Sequence, residues 1–333
     1  MTNPSPNPIV LPSERAPSQE GVLRAAEKMA QLLPQTPLLP LDLPNGARVW
    51  CKAESLQPVG AFKIRGAWHR LSDLSPEEMA AGVVAVSSGN HAQGVAWAAR
   101  RLGISATIVM PTDAPEVKLA ATRELGAQVV LYDRPGGEDR DAVAERLTAQ
   151  SGATLVHAYG DPWVIEGQGS CGIELADQMQ CLAGGAPSRV VTPCGGGGLA
   201  AGLALALPTA EIVPVEPEGW DDVARSLASG EIQRVARNAP KTACDALQTP
   251  ATFPVNFRVM KARGLQGISV TEEEVRAAQR LAFSRLRLVI EPGGAAALAA
   301  LLADKAACDG RTAILLSGGN VDPAAFSRVI AGA

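Results

Sequence analysis

Short apolar stretches alternate with Ala/Leu-rich helical stretches through most of this chain, and that alternation is its strongest constraint on fold. The pattern predicts strands at Gly82–Ser87, Ala106–Met110, Gln128–Leu131 and Thr154–His157, with helices at His91–Leu102, Glu116–Leu125 and Arg140–Ala149 between them. Three successive βα units require a parallel sheet covered by helices, because parallel strands need long crossovers and bury both faces. The second half continues the alternation, with helix Ile165–Leu182, strand Arg189–Thr192, helix Leu199–Leu207, strand Ile212–Glu216, helices Thr271–Leu286 and Gly294–Ala303, and strand Thr312–Leu316. Thr271 and Glu274 have the spacing of a capping box at a helix start. The stretch Gly230–Gly264 reads as irregular and is expected to wrap near a site or an interface. At 333 residues the chain is too long for one ordinary core. The predicted class is α/β, with two open, twisted parallel-sheet lobes flanked by helices.

Bulk properties remove several function classes. A net charge of −4 leaves no basic footprint, so neither nucleic acid nor an acidic membrane surface is an expected partner. No uninterrupted apolar run reaches the ~18 residues of a membrane span. The six cysteines lack CxxC spacing, which points to reduced thiols rather than disulfides or zinc. The tail from Met1 to about Ser18 is rich in Pro, Ser and Asn and lacks the pattern of a signal peptide. A cytoplasmic protein acting on small molecules fits these bounds.

Ligands of open parallel sheets bind at the carboxyl ends of the strands. Three such ends carry unusual loops: Ser87-Ser88-Gly89-Asn90-His91, Gly195-Gly196-Gly197-Gly198 after Cys194, and Ser317-Gly318-Gly319-Asn320. Four bare glycines before a helix let backbone amides close around a phosphate. The Ser-Ser-Gly-Asn-His loop offers hydroxyls and amides suited to a carboxylate. Ser317 can hydrogen-bond an aromatic ring nitrogen without forcing a charge on it. Upstream, Gly60-Ala61-Phe62-Lys63-Ile64-Arg65-Gly66 sets one lysine beside an aromatic ring, and a desolvated lysine amine becomes a nucleophile toward carbonyls. A rival reading also fits locally. Gly196, Gly198 and Ala201 satisfy a relaxed dinucleotide fingerprint, and Glu216 lies 20 residues beyond Gly196, where a ribose-binding acid belongs. An NAD(P) oxidoreductase is therefore an alternative, as is a non-catalytic amino acid binding protein.

In this order along the chain, the lysine segment, Ser-Ser-Gly-Asn-His-Ala-Gln-Gly, the tetraglycine loop and the late serine resemble the fold-type II pyridoxal phosphate enzymes, specifically the serine/threonine dehydratase and serine racemase group. The resemblance runs from about Thr36 to about Asn320. It implies a tryptophan synthase beta-like fold, with a large cofactor domain from residues 1–80 and 161–333 and a small substrate domain from 81–160. It implies that Lys63 links to pyridoxal 5′-phosphate and serves as base, with Phe62 near the ring and Asn90 on its 3′-oxygen. Gly195, Gly196, Gly197, Gly198 and Leu199 would hold the phosphate, and Ser317 the ring nitrogen. Ser87, Ser88, Gly89, Asn90 and His91 would hold the substrate carboxylate, with Ser88 as the acid/base of the opposite face. Glu216, Asp222 and the Trp220 carbonyl resemble the group's divalent cation loop, and oxygen ligands suit Mg²⁺, Mn²⁺ or Ca²⁺. A homodimer is expected on the same ground.

The implied reaction is α,β-elimination from a β-hydroxy amino acid (L-threonine, L-serine or 3-hydroxyaspartate) to a 2-oxo acid and ammonia, with racemisation as the sibling. Ala61, Ala246 and Gly293 depart from the group's usual residues and are expected to reshape the pocket. No regulatory domain follows in this sequence, so isoleucine feedback is not expected.

Overall fold

The computed structural model describes residues 15–114 and 116–332. Most of the Pro/Ser/Asn-rich tail lies outside them. The chain opens with α1 (Gln19–Leu32), strands β1 (Leu38–Asp42) and β2 (Arg48–Lys52), and helices α2 (Lys63–Leu71) and α3 (Pro76–Ala81). Then come β3 (Val83–Val86), α4 (Asn90–Leu102), β4 (Ala106–Pro111), α5 (Glu116–Glu124), β5 (Gln128–Tyr132), α6 (Arg140–Ser151) and β6 (Thr154–Leu155). Next follow α7 (Pro162–Leu182), β7 (Arg189–Pro193), α8 (Gly198–Ala206), β8 (Glu211–Pro217), α9 (Asp222–Ser229) and α10 (Pro254–Ala262). The chain ends with β9 (Ile268–Val270), α11 (Glu272–Leu281), α12 (Pro292–Leu302), β10 (Thr312–Leu315) and α13 (Pro323–Ala331).

Two sheets result. The smaller runs β5-β4-β3-β6, all parallel, and holds the three predicted βα units. Its strands read as continuous apolar runs because helices cover both faces. Ile64, Ala67 and Leu71 of α2 pack with Val95 and Ala99 of α4 on one side, and Val143 and Ala144 of α6 lie on the other. The larger sheet runs β1-β2-β10-β7-β8-β9 and is parallel except for the β1–β2 hairpin. The alternation of strands and helices does not reveal that hairpin. Its β1 carries Pro40, and proline in a sheet is tolerated at an edge strand such as this.

Other differences have similar local causes. The stretch read as irregular contains α10, whose start is set by Pro254 at its first turn. The predicted helix Thr271–Leu286 is α11 followed by a π-helical turn, Ala282–Leu286, and stops where Arg287 adopts φ 61°. Its predicted capping box is present: Thr271 N donates to Glu274 Oε2 at 2.7 Å, and Glu274 N to Thr271 Oγ1 at 3.2 Å. Among the described residues, no helix is long and apolar enough to cross a membrane. All six cysteines are free.

The helix α7 ties the two sheets together. Gly167 and Gly169 lie on opposite sides of it. A Cβ on Gly167 would come 2.5 Å from Gly66 Cα and 2.6 Å from Arg65 O, on α2. A Cβ on Gly169 would come 2.6 Å from Gly202 O, on α8. Backbone therefore meets backbone on both sides, leaving no side chain to yield. Beneath α2, Arg65 is fully buried between Glu54 (2.7 and 2.8 Å) and Glu174 (2.7 and 2.8 Å), and Lys52 adds a 2.7 Å bond to Glu174. Burial works to raise the Glu54 carboxyl, but the charge and hydrogen bonds of Arg65 more than reverse it, to about 2.

Gly167→Ala is expected to force α2 and α7 apart and lower stability by about 1–3 kcal/mol. Chemical denaturation of wild type and variant measures this, and an unchanged midpoint would mean that the crossing yields.

Candidate active site

The carboxyl ends of both sheets face one cavity of about 820 Å³. Phe62, Lys63, Ser87, Ser88, Gly89, Asn90, His91, Gly195, Gly196, Gly197, Gly198, Leu199 and Ser317 all line it. The structure thus brings together every residue that the sequence assigned to the lysine, carboxylate, phosphate and ring-nitrogen positions. Glu216, Trp220 and Asp222 are not among its lining residues.

Lys63 is the first residue of α2, and Ala61 before it bridges to Gly318, so the lysine sits at a pinned helix entry. Its Nζ donates to Ala158 O at 2.7 Å and lies 5.2 Å from the Phe62 ring centroid. Among the described residues it has no carboxylate partner. Burial lowers its pKa to about 8.

The glycine loop connects β7 to α8. Gly197 takes φ +88°, and a Cβ on Gly196 would overlap the Tyr159 ring, so neither site admits another residue without strain or clash. Thr252 Oγ1 and Asn256 Nδ2 donate to Gly196 O at 3.0 and 3.1 Å. That brace turns the next N–H to the opposite side of the planar peptide. The first amides of α8 have no acceptor within the helix and carry its positive end.

Two histidines, buried His91 and half-buried His157, stay neutral. Burial drives both His91 and His157 down to about 3, with the charge of Lys63 adding to each. His91 Nε2 lies 2.9 Å from Val156 O. His157 Nδ1 accepts from Gly160 N at 2.8 Å. His91 therefore anchors the loop and does not carry a charge onto a ligand. The Ser88 and Ser317 hydroxyls bond to no protein group among the described residues, and both line the cavity.

Some contributors went unread in the sequence. Asn90 Nδ2 donates to Glu291 Oε1 at 2.7 Å, and Asn320 Nδ2 donates to Asn90 Oδ1 at 2.8 Å. Burial raises Glu291 to about 7. Asn320 ends a loop already singled out, whereas a lone glutamate before proline gives no warning that it will face a strand-end asparagine. Tyr159 is found only through the missing Cβ of Gly196. Two departures from the group's pattern face each other: a Cβ on Gly293 would lie 3.5 Å from the Ala246 methyl and 3.1 Å from Leu247 Cγ. The extra methyl at 246 and the missing one at 293 offset each other.

The dinucleotide reading fails on Glu216. Both of its oxygens accept backbone amides, from Val223 at 3.0 Å and Ala224 at 2.8 Å, and it is fully buried. It does not line the cavity, so it is not placed to hold a ribose there. Asp222 beside it is also buried, is pushed up to about 7 by that burial, and has both carboxylate oxygens without a hydrogen-bond partner among the described residues.

Comparison with known proteins agrees with this geometry. The family described as "Pyridoxal-phosphate dependent enzyme" matches residues 29–318. An L-threo-3-hydroxyaspartate ammonia-lyase of Pseudomonas sp is 40% identical, over 95% of this chain and 99% of that protein. A serine racemase of Schizosaccharomyces pombe is 38% identical, over 92% of this chain and 95% of that protein. The crystal structure of a threonine deaminase from T.th. superposes with a TM-score of 0.84 at 42% identity, covering 92% of this chain and 99% of that one.

The lowered pKa of Lys63 has a direct readout. Below about pH 8 its amine is mostly protonated, and above it mostly neutral and nucleophilic. Covalent capture of an aldehyde by cofactor-free enzyme should rise with a midpoint near 8, whereas a midpoint near the ~10.4 of a solvated lysine would show that the amine is not desolvated. A lysine amine of lowered pKa and a glycine loop at a helix start accord with the family match over residues 29–318, which places this chain among the pyridoxal-phosphate-dependent enzymes.

Proposed function

We propose that the enzyme catalyses α,β-elimination of a β-hydroxy amino acid to a 2-oxo acid and ammonia. The observation that supports this most strongly is Lys63, a half-buried lysine without a carboxylate partner among the described residues, in one cavity with the glycine loop and the Ser-Ser-Gly-Asn-His loop. The residues fit pyridoxal phosphate. Bare glycines leave room for a phosphate that any Cβ would crowd, and the free Ser317 hydroxyl suits an uncharged ring nitrogen. When bound, that cofactor withdraws electrons from the substrate Cα and makes its proton acidic.

The chain's own groups would do the rest. Lys63 would hold the cofactor covalently and then accept the Cα proton. The amides of Gly195, Gly196, Gly197, Gly198 and Leu199 would hold the phosphate at the positive end of α8. Asn90, fixed between Glu291 and Asn320, would bond the 3′-oxygen. Ser87, Ser88, Gly89 and His91 would receive the substrate carboxylate, with neutral His91 keeping the loop in place. The β-hydroxyl leaves as water, and hydrolysis of the product gives the 2-oxo acid and ammonia. Residues 81–160 would act as a small lobe that closes on the remainder and excludes water. The free Ser88 hydroxyl supports racemisation as a second reading, since an unpaired donor could reprotonate the other face. The similarity to an ammonia-lyase, a deaminase and a serine racemase supports both. A cytoplasmic homodimer is part of the same proposal.

A divalent cation is proposed at Asp222, Glu216 and the Trp220 carbonyl. Two buried carboxylates raised by burial, one with both oxygens orphaned, support a missing positive partner.

The reaction is tested by assaying keto acid, ammonia and inverted product from L- and D-serine, L- and D-threonine and the 3-hydroxyaspartate diastereomers. Lys63→Ala should lower keto acid formation by about 10³-fold or more, and undiminished ammonia release would overturn the reading. For the cation, Mg²⁺, Mn²⁺ or Ca²⁺ at about 100 times its Kd should add about 2.7 kcal/mol of stability. Melting curves with and without chelator read this, and the gain should vanish in Asp222→Asn.

A further inference from the structure

The chain has three histidines. His69 Nε2 lies 3.4 Å from Glu166 Oε2 and His91 Nε2 lies 2.9 Å from Val156 O, so each has an acceptor for its ring proton. His157 differs. Its Nδ1 accepts from Tyr159 N at 3.3 Å and from Gly160 N at 2.8 Å. A neutral imidazole carries one proton, and a nitrogen that accepts cannot hold it, so the proton belongs to Nε2. Among the described residues Nε2 bonds to no protein group, and the half-buried ring lines the cavity.

The ring stands beside the glycine loop. It packs against Tyr159 at 4.6 Å and Phe253 at 4.4 Å between centroids. Tyr159 fills the space beside that loop, where a Cβ on Gly196 or Gly198 would come 2.2 or 3.1 Å from its atoms. Phe253 follows Thr252, whose hydroxyl braces Gly196 O. The residue after His157, Ala158, takes the Lys63 amine on its carbonyl. One short turn, residues 157–160, thus touches both the lysine and the glycine loop. Burial above all opposes protonation of the ring, and the charges of Arg140 and Lys63 add to it. The cavity's carboxylates are engaged elsewhere: Asp245 with Lys118, Glu291 with Asn90, Asp141 with Arg140, and Asp322 as the cap of α13.

We propose that His157 is a further cofactor-binding residue, whose Nε2 proton is donated to the phosphate that the glycine loop receives. This rests on the reading of that loop as the phosphate's seat. A hydrogen bond to a charged acceptor is stronger than one between neutral groups. A donor that stays neutral adds such a bond without bringing a titrating charge next to Lys63.

The test compares the cofactor with and without its phosphate, by equilibrium dialysis of full-length enzyme against pyridoxal 5′-phosphate and against pyridoxal. Wild type should bind the phosphorylated form at least about 100-fold more tightly. His157→Phe keeps a ring between Tyr159 and Phe253 and removes the donor. Its Kd for pyridoxal 5′-phosphate should rise about tenfold or more, while its Kd for pyridoxal stays within about twofold of wild type. His157→Gln, which keeps an N–H donor, should recover part of the loss. A measurement on wild type needs no variant: by ¹⁵N NMR, one imidazole N–H should shift on binding pyridoxal 5′-phosphate and not on binding pyridoxal. Full phosphate preference in His157→Phe, or a wild type in which no imidazole proton distinguishes the two ligands, overturns the proposal. Equal affinity of wild type for both ligands would instead remove the glycine loop as the phosphate's seat, and the proposal with it.

Discussion

The separation between the lysine and the glycine loop depends on one helix with no side chain to spare. α7 meets α2 at Gly167 and α8 at Gly169, backbone against backbone. The helix that begins with Lys63 and the helix that begins at the glycine loop are therefore spaced by atoms that cannot change rotamer. Buried Arg65, two residues after Lys63, is clamped by Glu54 and Glu174 and restrains α2 against rotation. Such a cluster is weak evidence for net stability, since desolvation opposes the Coulombic gain. Its contribution here is geometric, because removing Arg65 strips the buried Glu54 carboxylate of its guanidinium partner.

The site above this frame controls charge by burial. Two histidines that would be partly protonated in water are held neutral, and the lysine is brought toward neutrality. The polar loop at the start of α4 is held by carbonyls and amides. Asn90 has both ends of its amide engaged, by Glu291 and Asn320, which fixes its orientation without a charged partner in contact with Lys63.

Much of this could be read from residue order. The βα units were visible because parallel strands buried on both faces are apolar without interruption, as in Val83–Val86. The lysine segment, the four glycines and the late serine were visible because backbone access and nucleophilicity demand particular residue types. What escaped depends on partners distant in sequence. Glu291 is a common residue whose meaning comes from Asn90, 201 positions earlier. Tyr159 fills the space that Gly196 leaves. The β1–β2 hairpin escaped because Pro40 reads as a breaker until the strand is known to lie at an edge. Glu216 misled in the opposite direction, because spacing alone does not reveal that its oxygens are already taken by the amides of α9.

The strand order carries a consequence for how the molecule is made. β10, the last strand of the chain, lies inside the larger sheet between β2 and β7. During synthesis β2 must wait with an unpaired edge until nearly all of the polypeptide has left the ribosome, and an open edge is an invitation to pair with the wrong chain. Asn320, which secures Asn90, arrives later still. A nascent chain cut a few dozen residues short would lack a central strand and not merely a tail, so incomplete products should be substrates for chaperones and proteases rather than weakened enzymes.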